Sequence, residues 1–275
     1  MFRTLIKILQ LIEYKKREHR VNLMSTYLAL KLNCFFGKNT SKGYAQKIKN
    51  FYIHFNNYEE LIHQFEEIFI QDNYYFFTEN SLPTIIDCGA NIGLSVLYFK
   101  SLYPKARIIG FEPNPLAYRY LERNIQVNKL DQVTIYNKAI HNEEGFVNFY
   151  SDDNSLLSSV DPKRAKSSSK ILVQTTKLSN FIEDQVDLVK IDVEGAEDCI
   201  LEDLCESNKL IHVDQMIVEY HHYFKQNDYK LSKFLRILEN QSFGYVLHTN
   251  QSLKPQKKDF QDILIHAYKI RKEMM

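Results

Sequence analysis

At 275 residues, with 44% apolar and 25% charged side chains, the chain can bury a sizeable core, which argues against a disordered or fibrous protein. It holds no uninterrupted apolar run of about 18 residues, which argues against a membrane-spanning helix. Its four cysteines (Cys34, Cys88, Cys199, Cys205) show neither C-x-x-C nor zinc-ligand spacing and read as reduced thiols of a cytoplasmic protein.

The net charge of +1 hides an asymmetry, because residues 1–50 hold eleven Lys and Arg against two Glu, a balance of +9 that leaves −8 on the rest. Residues 1–45 read as two helices broken in the Gly37–Gly43 stretch. Phe2, Leu5, Leu9 and Ile12 share one helical face beside Arg3 and Lys7, with Lys15, Lys16 and Arg17 following. This face reads as packed on the protein or on a partner, including a second copy of the chain, with peripheral contact to the inner face of a membrane or another polyanion as the second reading. Lys7 interrupts the apolar stretch and no small-residue cleavage site follows, so a signal peptide is not indicated. Phe51–Phe55 alternates as a strand, and Tyr58–Ile70 has helical periodicity with Glu59 and Glu60 in its first turn. Tyr74–Phe77 reads as core packing. Residues 1–80 are thus expected to form an α-rich N-terminal extension, and residues 81–275 the main domain.

From Pro83 the periodicity switches to alternating strands and helices: strand 84–88, helix 92–102, strand 106–111, helix 115–128 and strand 132–136. That alternation specifies a parallel sheet with helices on both faces. The first junction carries the chemistry. Gly89 and Gly93 allow a tight turn that a ligand can approach closely, at the positive end of the following helix. Glu112, at the end of the next strand, is placed to take ribose hydroxyls. The pattern Asp87-x-Gly89-x-x-x-Gly93 puts a carboxylate where a dinucleotide fingerprint has its first glycine. An anion there disfavours pyrophosphate and suits an ammonium or sulfonium group, which points to S-adenosylmethionine rather than NAD.

Asp87-Cys-Gly-Ala-Asn-Ile-Gly93, Phe111-Glu-Pro-Asn-Pro115, Asn124, Asn128 and Lys190-Ile-Asp-Val-Glu-Gly-Ala-Glu197 resemble the FkbM family of S-adenosylmethionine-dependent methyltransferases in order and spacing. The resemblance covers about residues 82–220. It implies a class I methyltransferase (Rossmann-like) fold, a seven-stranded, mostly parallel sheet whose last strand inserts antiparallel. It also implies O-methylation of a sugar, glycan-like or secondary-metabolite hydroxyl. On this reading Asp87 orders the cradle and meets the amino end of the cofactor, while Gly89, Ala90, Asn91 and Gly93 admit it. Glu112 holds the ribose, Pro113 and Asn114 shape the loop beside the adenine, and Ala139 and Ile140 pack on its ring. His141 reads as a solvent-facing loop residue. The family also places serines near the site, which makes Ser158 and Ser159 candidates.

Phe146–Tyr150 and Ile171–Gln174 read as antiparallel additions flanking a polar segment, 151–170, expected to be a lid. The sheet resumes with strand 186–191, helix 196–205, strand 214–219, helix 229–240, strand 243–248 and a final strand near 263–268. Asp192 and Glu194 leave the end of one strand, and Glu219 and His221 the end of another, so four catalytic candidates line one pocket if these strands are neighbours. His221 is the first choice of general base and Glu194 the second. Alternatively Asp192, Glu194, Glu219 and His221 hold a divalent metal, Mg²⁺ or Mn²⁺. Glu197 reads as an acid favoured by a helix N-terminus. A non-catalytic binding or assembly protein of glycan biosynthesis is the competing function. Nucleic acid is not expected as a partner, because no Asn-Pro-Pro-Tyr-type motif is present and the basic residues lie away from the site.

Overall fold

The run Val186–Ile191 is buried at every position, as a central parallel strand covered on both faces must be, and the rest of the fold is arranged around it. The computed structural model describes residues 17–36, 43–151, 158–159, 169–223, 230–249 and 260–270. In chain order the strands of the main sheet are β3 (Thr84–Cys88), β4 (Arg107–Phe111), β5 (Val133–Tyr136), β10 (Val186–Ile191), β11 (Val213–Tyr223), β12 (Phe243–His248) and β13 (Phe260–Lys269). Among the described residues they lie in the order β12-β13-β11-β10-β3-β4-β5. All neighbours are parallel except β13, which runs antiparallel between β11 and β12. This is the class I methyltransferase sheet expected from the sequence.

Successive residues of these strands point to opposite faces. Ile85, Ile108, Leu188 and Ile217 join one core, while Ile86, Ile109, Val189 and Val218 join the other. The first core is covered by α1 (Arg17–Phe36), α2 (Tyr58–Phe65), α3 (Leu94–Leu102) and α4 (Pro115–Val127), and the second by α5 (Glu197–Glu206) and α6 (Lys230–Asn240). A smaller sheet of β6 (Ala139–Ile140), β9 (Ser169–Thr176), β7 (Gly145–Ser151) and β8 (Ser158–Ser159) contains the expected antiparallel pair, β7 with β9. The proposed lid falls largely outside the described residues, as does the apolar face of residues 1–16. Among the described residues no helix is long and apolar enough to cross a membrane.

Three departures from the sequence reading bear on the site. First, Tyr44–Ile48 forms a strand, β1, paired antiparallel with β2 (Phe51–Phe55). Its Gln and Lys positions had masked the alternation. Second, the expected helix 58–70 changes at Glu66 into a π-helix over Glu66–Ile70, where Ile68, Phe69 and Ile70 are all buried in succession. Third, β11 runs to Tyr223, well beyond residue 219, because β13 pairs along it and sets Asp262 opposite His221.

The family-like Asn124 and Asn128 act on the N-terminal hairpin. Asn124 accepts from the His54 amide at 2.6 Å and donates to the His54 and Ile92 carbonyls at 2.9 and 2.8 Å. Asn128 accepts from the Tyr52 amide at 2.7 Å and donates to the Tyr52 carbonyl at 2.6 Å. Their spacing of four puts both amides on one face of α4, where they bond alternate residues of β2 much as a neighbouring strand does. Asp187, a buried acid in β10, fixes the entry to β3: it accepts from the Thr84 amide at 2.9 Å, the Thr78 hydroxyl at 2.8 Å and the Asn80 amide group at 3.1 Å. A buried carboxylate is tolerated because these donors replace water.

Candidate active site

The loop after β3 is built on its glycines. Gly89 has φ +92°, and a Cβ there would lie 1.9 Å from the Asp192 carbonyl oxygen, so any side chain would collide with backbone. Gly93, at φ +91°, precedes α3 against Leu121, whose Cδ1 a Cβ would meet at 2.7 Å. The amides of Gly89 and Ala90 both donate to the Phe111 carbonyl at 2.9 Å, and the Asp192 amide donates to the Cys88 carbonyl at 3.0 Å. The carboxyl ends of β3, β4 and β10 are thereby held together. Asn91 takes a left-handed conformation (φ 49°), and its side-chain oxygen is buried without a hydrogen-bond partner among the described residues.

Asp87 is placed differently from the expectation that it meets a ligand. It is fully buried, 3.1 Å from the Lys190 ammonium, and accepts from the Ser95 hydroxyl at 2.5 Å. The physical reason is register, since β3 pairs with β10 so that Asp87 stands opposite Lys190. Lys190 also donates to the Gly89 carbonyl at 2.6 Å. Burial opposes its charge, but the carboxylates of Asp87 and Asp192 outweigh that and raise its pKa. The Lys190–Asp87 pair therefore supports the cradle from below.

Glu112 lines the cleft, as do Gly89, Ala90, Asn91 and Pro113. Its carboxylate accepts from the amides of Asn91 and Asn114, each at 2.8 Å. Burial pushes its pKa up to about 7 against the pull of these two donors. Asn114 does not line the cleft and instead caps α4, accepting from the amides of Leu116 and Ala117. Gly93 also lies behind the surface, whereas Ala139 and Ile140 are on it, beside Lys138. The His141 amide donates to Thr176, and the residue does not line the cleft. Ser158 and Ser159 pair with β7, but their side chains lie outside the described residues.

At the far end of the cleft β10 and β11 are parallel neighbours with Ile191 opposite Val218, as the expected convergence requires, but only three of the four expected side chains line the cleft. Asp192, Glu194 and Glu219 line the cleft. Ligand atoms of Asp192, Glu219 and His221 lie within 4.8 Å of one another. Burial, with the carboxylates of Asp192 and Glu67, holds Glu219 well above the usual carboxylate range. His221 stands behind this wall with its side chain 2% exposed. Its Nδ1 is 2.7 Å from Glu197, and its Nε2 is 3.5 Å from Glu194 and 3.8 Å from Asp262. Glu197 is therefore more than a helix-dipole acid: it is buried, orients the His221 ring, and accepts from the Gly195 amide at 2.9 Å. A carboxylate at the start of a helix gives no sign in sequence of a histidine on a distant strand.

The N-terminal segment supplies a wall that the sequence reading did not foresee. His63, Gln64 and Glu67 line the cleft, with His63 Nδ1 3.1 Å from Glu67. That contact holds His63 above its ordinary pKa. Tyr74, read as core, is buried, yet its hydroxyl donates to Asp192 at 3.3 Å. The i,i+4 spacing of His63 and Glu67 was the one local signal of a shared face.

Residues 87–247, more than half of the chain, match the family described as the Methyltransferase FkbM domain. The chain is 30% identical over 185 residues to Methyltransferase 1 of Beauveria bassiana (strain ARSEF 2860), a match covering 58% of this chain and 72% of that protein. It is 28% identical over 138 residues to 2-O-methyltransferase NoeI of Sinorhizobium fredii (strain NBRC 101917 / NGR234), covering 43% of this chain and 56% of that one. Among solved structures, a methyltransferase FkbM from Methylobacillus flagellatus KT is similar in fold, with a TM-score of 0.50 at 15% identity over 73% of this chain and 47% of that one.

Proposed function

The chain belongs to the FkbM methyltransferase family, and from that premise we propose that it transfers a methyl group from S-adenosylmethionine to a hydroxyl of a sugar, glycan-like or secondary-metabolite acceptor. The observation that carries the reading is a single cleft joining the glycine loop and Glu112 at one end to Asp192, Glu194 and Glu219 at the other. The residues fit the cofactor on two counts. Gly89 lets the loop close against the Asp192 backbone beside the cleft, and the buried Asn91 oxygen has, among the described residues, no donor, which a bound ligand can supply. The name of the Sinorhizobium relative, a 2-O-methyltransferase, supports oxygen as the accepting atom.

S-adenosylmethionine supplies a methyl carbon already activated by its sulfonium, so the protein must align the acceptor and remove its proton. Alignment is worth roughly 7–11 kcal/mol and a positioned base about 3–5 kcal/mol, so positioning dominates. Glu112 offers carboxylate lone pairs to the ribose hydroxyls, and Pro113, Ala139 and Ile140 supply an apolar seat for the adenine. Asp192, held by Tyr74 and Lys190, faces the methionine end. We assign proton removal to Glu194 rather than His221, because Glu194 lines the cleft and His221 lies behind it. The basic N-terminal 50 residues suit an anionic surface or the acidic body of a second copy.

Calorimetric titration with S-adenosylhomocysteine and with NAD tests the cofactor. Saturable binding of the first and none of the second is expected, followed by labelled methyl transfer to a panel of hydroxylated acceptors. Absence of S-adenosylhomocysteine binding would move the weight to a non-catalytic assembly protein.

A further inference from the structure

We propose that the outer face of α1, built from Leu28, Leu32, Phe35 and Phe36, lies on an anionic phospholipid surface and holds the protein there. The proposal is independent of the methyl-transfer reading above.

The first argument is the sidedness of α1. A helix on the surface of a globular protein needs one apolar stripe, and Leu23, Tyr27 and Leu30, all buried in the first core, supply it. α1 carries a second. Leu28, Leu32, Phe35 and Phe36 follow one another at helical spacing on the side turned away from that core, and they are 46%, 56%, 82% and 74% exposed. The Phe35 and Phe36 rings stand edge to face with centroids 5.0 Å apart, so they form one apolar knob at the end of the helix. Single exposed apolar residues are ordinary, but two rings and two leucines along one stripe mark an interaction surface.

The second argument is the charge around the stripe. Residues 1–50 carry a balance of +9, and from His19 to Tyr58 the sequence holds Arg20, Lys31, Lys38, Lys42, Lys47 and Lys49 without a single acid. Lys31 is half-exposed beside Leu32, and Lys47 is exposed on β1. Glu66, which meets α1 from the π-helix, pairs with Lys31 at 3.4 Å and accepts from the Tyr27 hydroxyl at 2.7 Å, so it offsets only part of this charge. Apolar side chains flanked by cations are what an anionic lipid surface takes: the rings enter the headgroup boundary while the cations meet the phosphates.

The third argument concerns the other occupant. A second copy meeting this face across a twofold axis would set two basic segments against each other, which like-charge repulsion opposes. α1 is not long and apolar enough to cross a membrane, so the binding mode is interfacial. Tyr27 and Lys31 tie α1 to the helical segment whose His63, Gln64 and Glu67 wall the cleft, and a docked α1 carries that wall with it.

Sedimentation of the full chain with vesicles of equal parts phosphatidylcholine and phosphatidylglycerol tests the face, with pure phosphatidylcholine vesicles as the neutral control. Binding to the mixed vesicles is expected, weakened by high salt and at least about tenfold weaker on the neutral vesicles. The double substitution Phe35→Ser and Phe36→Ser should lower affinity for the mixed vesicles at least about tenfold, whereas Phe146→Ser, which removes an exposed ring of β7, should leave it unchanged. Circular dichroism checks that each variant folds, and Leu32→Gln takes the place of the double variant if that one does not. No binding to the mixed vesicles, equal binding to the neutral ones, or binding indifferent to the α1 substitutions overturns the proposal. Sedimentation velocity without lipid distinguishes the other occupant: a dimer of the free protein that the α1 substitutions dissociate assigns the face to a second copy and overturns the lipid surface.

Discussion

Glu112 accepts from two backbone amides on the cleft, and if it also binds the ribose, as proposed above, its protonation state governs the cofactor end. Its folded pKa, raised by burial from 4.5 to about 7, reflects the amides of Asn114 and Asn91 and the Lys190 charge pulling down and Asp87 pushing up. A folded value above the unfolded one means that this group stabilises the unliganded protein fully below about pH 4.5 and that the contribution is lost as pH rises through about 7. Ligand binding should have the opposite trend, because ribose hydroxyls need the ionised acceptor. S-adenosylhomocysteine affinity is expected to rise with pH up to about 7 and then level, with proton release on binding below that value. Glu112→Gln should weaken binding roughly ten- to a hundredfold, by the 1.5–3 kcal/mol of a charged hydrogen bond, and flatten the profile. Calorimetry in buffers of different ionisation enthalpy checks both. The place of Glu112 on the cleft was legible in sequence, because an acid ending an apolar strand after a glycine turn lands at the carboxyl edge of a parallel sheet. Lys190 and Glu197 were not, because each acquires its role from a partner on another element, Asp87 for one and His221 for the other.

Among elements, α4 owes its two asparagines to the hairpin beneath it. Asn124→Ala removes three hydrogen bonds at a buried position, leaving the His54 amide and the Ile92 carbonyl without that partner. At roughly 1–3 kcal/mol for each buried group left unpaired, a loss of about 3 kcal/mol is expected in urea denaturation. Asn128→Ala, whose bonds to Tyr52 are exposed, should cost less than about 1 kcal/mol. Equal losses would contradict the strand-like docking. The alternating strands and helices from residue 84 onward were readable from apolar periodicity, and β3 and β10 fell on the expected residues. The π-helix and the wall formed by His63, Gln64 and Glu67 were not, since a widened turn and its approach to β10 depend on tertiary packing.

For the whole molecule, the boundary expected at residue 80 divides the chain in order but not in packing. Leu23, Tyr27, Leu30, Phe55 and Phe65 share one core with Leu97, Leu188 and Ile217. We propose that the described regions unfold together: calorimetry should show a single transition, and a chain beginning at residue 81 should fail to fold. Two separate transitions would argue for independent units. β13 adds a constraint in time rather than in space. Until residues 260–269 have been synthesised, β11 has no neighbour on the edge that β13 later covers, and over Tyr223 back to Gln215 it presents the unpaired backbone that attracts foreign strands. A nascent chain halted after β12 already contains the glycine loop and Glu112, but the strand bearing Glu219 and His221 is still open on one side, so the end of the cleft lined by Glu219 is completed after the end built on the glycine loop.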